Sequence, residues 1–139
     1  MWINDCFNSS YVTLEFDDIA HSLHVVECGG GSSDKNGMYL LLTSLQILKP
    51  MEICTQTFLV GNSMDTYDEA YNCMNYLKCK FTRFLILQSM TSQDLSPERF
   101  RFVPLQDFTK PWTDEELYKK YNLTNEEIQF IESMIKPME

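Results

Sequence analysis

Apolar residues recur at three- and four-residue steps from Tyr67 onward, which is the spacing of one face of an α-helix. The stripe consists of Tyr67, Ala70, Tyr71, Met74, Leu77, Phe81, Phe84 and Leu85. Asp65 or Thr66 can cap this helix, and Glu69 stands three residues after Thr66, as in a capping box. The pattern therefore predicts one long helix that ends near Ser89.

Two shorter helices are predicted near the end of the chain. Residues 113–116 (TDEE) and 124–127 (TNEE) both have the Thr-x-x-Glu form of a capping box, and apolar residues follow each of them. Residues 122–123 form the turn between the two helices, and Pro137 ends the second. The apolar residues of the second helix are Ile128, Ile131, Met134 and Ile135.

Shorter segments of alternating or β-branched residues predict strands. These segments are 11–16, 23–27, 54–60 and 99–105. Gly61 and Asn62 are the predicted stop of the third strand. In the fourth, Phe100 and Phe102 would lie on one face, and Pro104 indicates an edge strand.

The order of these elements predicts the fold class. Residues 29–37 (GGGSSDKNG) have the composition of a loop, and the apolar run 38–48 is expected to be extended near its start, although its period is ambiguous. Strands followed by helices indicate an α+β fold with a mixed or antiparallel sheet, one long helix and two short C-terminal helices. No linker or repeat divides the sequence, so residues 1–139 are predicted to form one domain, strand-rich over 1–49.

Charge is distributed unevenly along the chain. The formal net charge of −9 argues against nucleic acid, because phosphate binding is driven by Lys and Arg. Residues 1–77 contain 2 basic and 10 acidic side chains, residues 78–110 contain 6 and 3, and residues 111–139 contain 3 and 7. A locally positive segment thus lies between two acidic ones, and the local potential is what a partner meets.

The cysteines indicate a reducing compartment. They are Cys6, Cys28, Cys54, Cys73 and Cys79, an odd number without a CxxC pair, so neither a disulfide framework nor a zinc site is predicted. No apolar run approaches the ~20 residues of a membrane span. Residues 1–10 lack the basic and apolar regions of a signal peptide. We therefore expect a cytoplasmic protein without a membrane-inserted segment.

Candidate metal and phosphate sites are weak. His21 and His24, with Asp17 and Asp18 nearby, could ligate a metal, but in an extended segment a spacing of three places side chains on opposite faces. Residues 29–33 (GGGSS) lack the GxxxxGK[ST] and GxGxxG forms, so a surface loop is favoured over a phosphate cradle. Neither a metal nor a cofactor is predicted.

Candidate catalytic groups are equally weak. GxSxG is absent, and Cys54, Cys73 and Cys79 fit buried apolar thiols better than nucleophiles. Capping and the helix dipole explain the acids at 114–116 and 126–127, including those that could otherwise resemble a nuclease cluster. The chain is therefore predicted to be non-catalytic on its own.

The remaining signal is a set of cations interleaved with aromatic residues. The cations are Lys78, Lys80, Arg83, Arg99 and Arg101, and the aromatic residues are Phe81, Phe84, Phe100 and Phe102. Lys80 and Arg83 lie one turn apart on the predicted helix and would share an outward face. Such side chains contact the phosphates and base edges of DNA. The alternative is that the Phe residues are core and the cations form a solvated face.

A series of segments adds a family likeness. They are 54–60 (CTQTFLV), 68–70 (DEA), 76–85 (YLKCKFTRFL), 102–108 (FVPLQDF), 112–121 (WTDEELYKKY), 123–124 (LT) and 127–138 (EIQFIESMIKPM). This series resembles the C-terminal part of type II restriction–modification adenine methyltransferases and of fused endonuclease–methyltransferases. Cys79 and Thr82 depart from the family pattern, in which Thr and Phe are expected.

The resemblance implies a partner and a role. In that family an upstream domain binds S-adenosylmethionine and transfers the methyl group, whereas the C-terminal region is associated with recognition of target DNA. It thus implies double-stranded DNA as the partner. It supplies no catalytic residue, since the family's catalytic loop has no counterpart in this chain.

Three functions are consistent with the sequence. The first is a non-catalytic DNA target-recognition module or fragment of a restriction–modification protein, which would bind DNA weakly alone because few phosphates are engaged. The second is a protein–protein interaction domain that docks on a methyltransferase or another partner without DNA contact. The third is an enzyme whose site is assembled from His21, His24 and nearby acids, which would require those side chains to converge.

Overall fold

The computed structural model describes residues 7–9, 21–26, 33–49, 52, 58–92 and 95–138. The strands are β1 (Phe7–Ser9), β2 (His21–Val26), β3 (Leu45–Leu48) and β4 (Phe58–Met64). The helices are α1 (Tyr67–Lys78), α2 (Lys80–Ser89), α3 (Asp114–Lys120) and α4 (Asn125–Met134), with a 3-10 helix at Pro97–Phe100. The predicted α+β class and the two short C-terminal helices are confirmed.

The four strands form one antiparallel sheet in the order β1-β4-β2-β3. Strand β4 runs through Gly61 and Asn62 to Met64, so the predicted stop is wrong. Gly61 lies opposite Phe7 of β1, and Met64 lies opposite His21 of β2. The register between β2 and β4 shifts between Ser22 and His24, and pairing resumes at Ser63 and Met64, so β4 passes through Gly61 and Asn62 although Gly and Asn have low strand propensity.

The other strand predictions have mixed outcomes. Strand β2 confirms the segment 23–27 as far as Val26. Within the run 38–48 the regular strand, β3, lies at the end, and near the start Tyr39 forms an isolated parallel bridge with Ile135. The predicted strand 11–16 and residues 54–57 lie outside the described residues.

The predicted strand over 99–105 is wrong. Pro97 begins a 3-10 helix, where its fixed φ suits the first position, and a turn follows in which the Val103 N–H donates to the Phe100 carbonyl over 2.9 Å. Phe100 and Val103, three residues apart, are buried, whereas Phe102 is 43% exposed. Phe100 and Phe102 therefore do not share a face.

The predicted long helix is divided at Cys79. Its backbone adopts φ −57° and ψ 142°, which ends α1, and α2 begins at the next residue. The Asp114 carboxylate accepts the N–H groups of Lys80 and Phe81 over 3.1 and 2.9 Å. A carboxylate from a distant part of the chain thus caps α2 and replaces the hydrogen bonds that a continuous helix would have made.

The predicted capping boxes are all confirmed. Thr66, Thr113 and Thr124 accept the N–H of the residue three positions later, and the Glu at that position accepts the N–H of the Thr. The helices then pack on the sheet around a buried core. Its fully buried members include Leu42, Val60, Tyr76, Leu77, Ile86, Phe100, Leu117 and Ile135.

The end of the chain is held against the turn at residues 34–39. The Tyr39 N–H donates to the Met134 carbonyl, the Lys136 N–H donates to the Tyr39 carbonyl, and Lys136 Nζ lies 2.6 Å from Asp34 Oδ2. The hydrogen bond from Lys136, with backbone hydrogen bonds from Met38 and Asn36, lowers the pKa of Asp34 from 3.8 to about 2.

This shift predicts an acid dependence of stability. The folded carboxyl has the lower pKa, so its stabilisation is fully present above pH 3.8 and is lost as the pH falls toward about 2. We expect the Tm of wild type to exceed that of Asp34→Asn above this window and the two to converge within it. Calorimetry across the pH range measures the difference, and Lys136→Met is the matched variant. A difference that does not change with pH would contradict the prediction.

Candidate interaction surface

Arg83 does not lie on an outward face. It is fully buried, Nε donates to the Lys78 carbonyl and Nη1 donates to the Leu40 carbonyl, both over 2.9 Å. Burial lowers its pKa from the ordinary value, opposed by the charge of Asp114. The prediction that Lys80 and Arg83 share an outward face is wrong. Because the helix breaks at Cys79, the Arg83 side chain points inward, toward the junction between α1 and α2. Arg83 satisfies backbone carbonyls there and is inaccessible to a phosphate.

Lys80 is engaged by a carboxylate. Its Nζ forms a salt bridge with Glu132 Oε2 of α4, and Tyr118 donates its hydroxyl proton to Glu132 Oε1 over 2.9 Å. Burial by itself would raise the pKa of Glu132, but the hydrogen bonds from Lys80 and Tyr118 lower it below its ordinary value. Lys80 therefore connects α2 to α4 and contributes little free positive charge.

The other three predicted cations have different environments and do not form a common surface. Arg99 donates through Nη1 to the Ser89 carbonyl at the end of α2, over 2.9 Å. Arg101 is exposed, and its guanidinium carbon lies 4.8 Å from the centre of the Phe102 ring. Lys78 is partly buried. Of the five, Arg101 alone is both exposed and placed beside an exposed aromatic ring.

A second group of cations is not evident from the sequence. Lys110 Nζ and Lys120 Nζ lie 3.9 and 4.6 Å from the ring centre of Trp112, which is buried. Lys120 also donates to Gln106 Oε1 over 2.6 Å. Lys110 and Lys120 are ten positions apart, and no sequence pattern indicates that they are neighbours. They meet at Trp112 because of the way α3 folds back.

The thiols are structural, as predicted, where they are described. Cys73 and Cys79 are buried, and burial raises the pKa of Cys79 to about 12, with a further contribution from the charge of Asp114. Cys79 Sγ donates weakly to the carbonyls of Asn75 and Trp112. A thiol in this state is not a nucleophile at neutral pH. Cys54 lies outside the described residues.

The described part of the chain brings no three His, Cys, Asp or Glu side chains together as metal ligands. His21 and His24 lie in β2, in agreement with the predicted extended segment, but their side chains and residues 17 and 18 lie outside what the structure describes. Within the same described residues, no helix has both the length and the apolar character needed to cross a bilayer.

An apolar groove lies between α2 and α4. Phe130 of α4 is 55% exposed, the highest value for a large apolar side chain among the described residues. Its ring meets Phe84 of α2 edge to face, with ring centres 5.8 Å apart. The groove has a volume of about 410 Å³ and is lined by Phe84, Leu123, Glu126, Glu127, Phe130 and Ile131. We call it the α2–α4 groove.

The two helices beside the groove are joined by a salt bridge between Lys80 of α2 and Glu132 of α4, and Ile131, which lines the groove, is buried. A second depression, of about 670 Å³, shares Leu123 with the groove and is lined also by Glu115, Tyr118, Lys119, Asn122, Ile128 and Glu132. The exposed ring of Phe130 therefore lies beside the half-buried ring of Phe84 and the buried side chain of Ile131.

Part of this groove was predictable. The stripe of α2 and the apolar spacing of α4 mark Phe84 and Ile131 as inward-facing, but neither pattern shows that Phe130 would lie beside Phe84.

Comparison with known proteins gives no match: no family model, no curated protein and no solved structure is similar to the chain. The likeness to restriction–modification methyltransferases thus stays a prediction.

Proposed function

We propose that this chain is a non-catalytic interaction module that docks a partner protein in the α2–α4 groove. One observation carries the proposal: Phe130 is 55% exposed in a groove that is lined by further apolar side chains, of which Ile131 is buried. Exposed aromatic residues that converge on one concave surface are typical of docking sites, and rigid aromatic side chains provide most of the binding energy at such sites.

The state of the other polar groups supports a binding role. Asp114 caps α2, Glu116 and Glu127 complete capping boxes, and Glu132 is bound by Lys80 and Tyr118. Within the described residues, these four carboxylates and the buried thiols of Cys73 and Cys79 are thus used by the fold, which supports a binding role.

DNA recognition is the second candidate, and one observation favours it. Arg101 is exposed beside Phe102, itself 43% exposed, so that a cation and an aromatic ring are presented together. That arrangement can contact a phosphate and a base. The burial of Arg83 and the pairing of Lys80 remove two of the cations on which a positive strip would depend, so we rank this function below docking.

The groove proposal predicts a large effect of Phe130. Peptides selected from a displayed random library on the wild-type protein should lose at least about tenfold in affinity for Phe130→Ser, because truncation of an aromatic hot-spot residue costs about 2 kcal/mol or more. Fluorescence anisotropy with labelled peptides measures the change. Phe102→Ser, which also removes an exposed Phe, is the matched control and should leave the affinity unchanged.

Two outcomes would overturn docking in the groove. One is a library that yields no binder to the wild-type protein, and the other is a set of binders that tolerate Phe130→Ser. A labelled DNA duplex serves as the competing probe under the same conditions. Binding of the duplex that falls steeply with salt and is lost in Arg101→Glu would favour the DNA candidate instead.

A further inference from the structure

We propose that the occupant of the α2–α4 groove is an amphipathic helix whose bulky apolar anchor is flanked by Lys or Arg residues. This inference rests on the proposed docking function and names the chemistry of the partner. It combines the shape of the groove, which suits a third helix, with the charge of its rim, which is acidic.

The shape follows from the residues that line the groove. Phe84 of α2 lies on one side, and Leu123 with residues 126–131 of α4, about 9 Å of helix, lies on the other. An apolar furrow between two joined helices is the standard receptor for a third helix, which inserts side chains at helical spacing. Phe84 and Phe130 meet edge to face at the mouth, so one large side chain can rest against both rings.

The rim has acids beyond those that the helix requires. Glu127 completes the capping box through Oε2, which leaves Oε1 available. Glu126 is exposed, and within the described residues it forms no salt bridge and no side-chain hydrogen bond. Among the described residues, both charged side chains that line the groove are acidic. Two carboxylates beside an apolar floor attract a partner that places cations on either side of its apolar anchor.

The same charges disfavour a second copy of the chain as the occupant. Self-association through this face would bring Glu126 and Glu127 of one copy toward those of the other, and the net charge of −9 adds a general repulsion. We therefore expect the protein alone to sediment as a monomer. A dimer that dissociates in Phe130→Ser would show that a second copy fills the groove, and would overturn the basic partner.

The test uses the whole chain and three synthetic helical peptides of about three turns. All three carry the same apolar residues at i, i+3, i+4 and i+7, and their remaining positions are Lys, Gln or Glu. We expect the Lys peptide to bind at least about tenfold more tightly than the Glu peptide at low salt, and we expect this ratio to shrink as salt is added. The Phe130→Ser variant should abolish the binding of the Lys peptide, which excludes attraction by net charge alone.

The rim is tested separately with Glu126→Gln combined with Glu127→Gln. Gln preserves the capping box, so the helix stays intact while the rim loses its charge. The Lys-to-Glu ratio should fall at least about threefold. Asp68→Asn with Glu98→Gln makes the same change of charge at exposed acids that do not line the groove and should leave the ratio unaltered.

Each remaining outcome decides one of the two proposals. If the Glu peptide binds as tightly as the Lys peptide, or if neutralising the rim has no effect, the basic partner is wrong. If none of the three peptides binds while library-selected peptides still depend on Phe130, the helical basic occupant is wrong and docking in the groove stands. If every peptide binds Phe130→Ser as tightly as it binds the wild-type protein, the proposed function itself is wrong.

Discussion

Arg83→Ala should lower the free energy of unfolding by about 4 kcal/mol, enough to unfold much of a marginally stable domain. The side chain is fully buried, and its two hydrogen bonds satisfy the carbonyls of Lys78 and Leu40. Truncation leaves a cavity and two unpaired carbonyls at once. Urea denaturation followed by circular dichroism measures the loss, with an unchanged m value as the sign that the folded state is still formed.

Two further variants make this prediction specific. Arg101→Ala removes an exposed arginine and should change stability by less than about 0.5 kcal/mol. Arg83→Lys keeps the charge but lacks the planar fork that reaches two carbonyls, so we expect a loss intermediate between the other two. A stable Arg83→Ala protein would mean that Arg83 is not a structural link between the α1–α2 junction and the segment that contains Leu40.

Asp114→Ala should cost about 2–3 kcal/mol, because it removes two hydrogen bonds to a charged acceptor and the favourable interaction with the start of α2. Asp114 belongs to α3 in sequence, yet its oxygens accept the N–H groups of Lys80 and Phe81. Beyond the global loss, hydrogen exchange of those two amides should accelerate more than that of the other α2 amides. Faster exchange confined to these two amides distinguishes the loss of the cap from a general destabilisation, which would accelerate all α2 amides alike.

The neighbouring acid provides the control for Asp114. Glu115 also lies in the first turn of α3 and is exposed, so Glu115→Ala should lose no more than the few tenths of a kcal/mol typical of a surface charge near a helix dipole. Asp114→Asn keeps the size of the side chain and one acceptor oxygen, and should fall between the two. Equal effects of Asp114→Ala and Glu115→Ala would contradict the role of Asp114 as the cap of α2.

These two residues also bear on the groove. Asp114 and Arg83 fix where α2 begins and how it is oriented, and Lys80 then attaches α2 to α4 through Glu132. The distance between Phe84 and Phe130 depends on that attachment. Variants of the junction should therefore weaken binding in proportion to their loss of structure, whereas Phe130→Ser should weaken it without such loss.

The sequence by itself determined the elements whose causes are local. Three Thr-x-x-Glu capping boxes, the two C-terminal helices and the α+β class were predicted from neighbouring residues, and the structure has them. Capping is a bond between residues three apart, and amphipathic spacing depends on one helix turn. The burial of Phe81 was predictable from the apolar spacing, and the burial of the Cys73 and Cys79 thiols from the apolar character of free cysteine.

Tertiary structure decided everything that depends on distant partners. The break at Cys79 requires Asp114, the burial of Arg83 requires the Leu40 carbonyl, and the continuation of β4 beyond Gly61 requires the pairing of Met64 with β2. The α2–α4 groove exists because Phe84 and Phe130, 46 positions apart in the sequence, meet in the fold. A local pattern contains no information about such pairs, because the two residues stabilise the fold only after the chain has brought distant segments into contact.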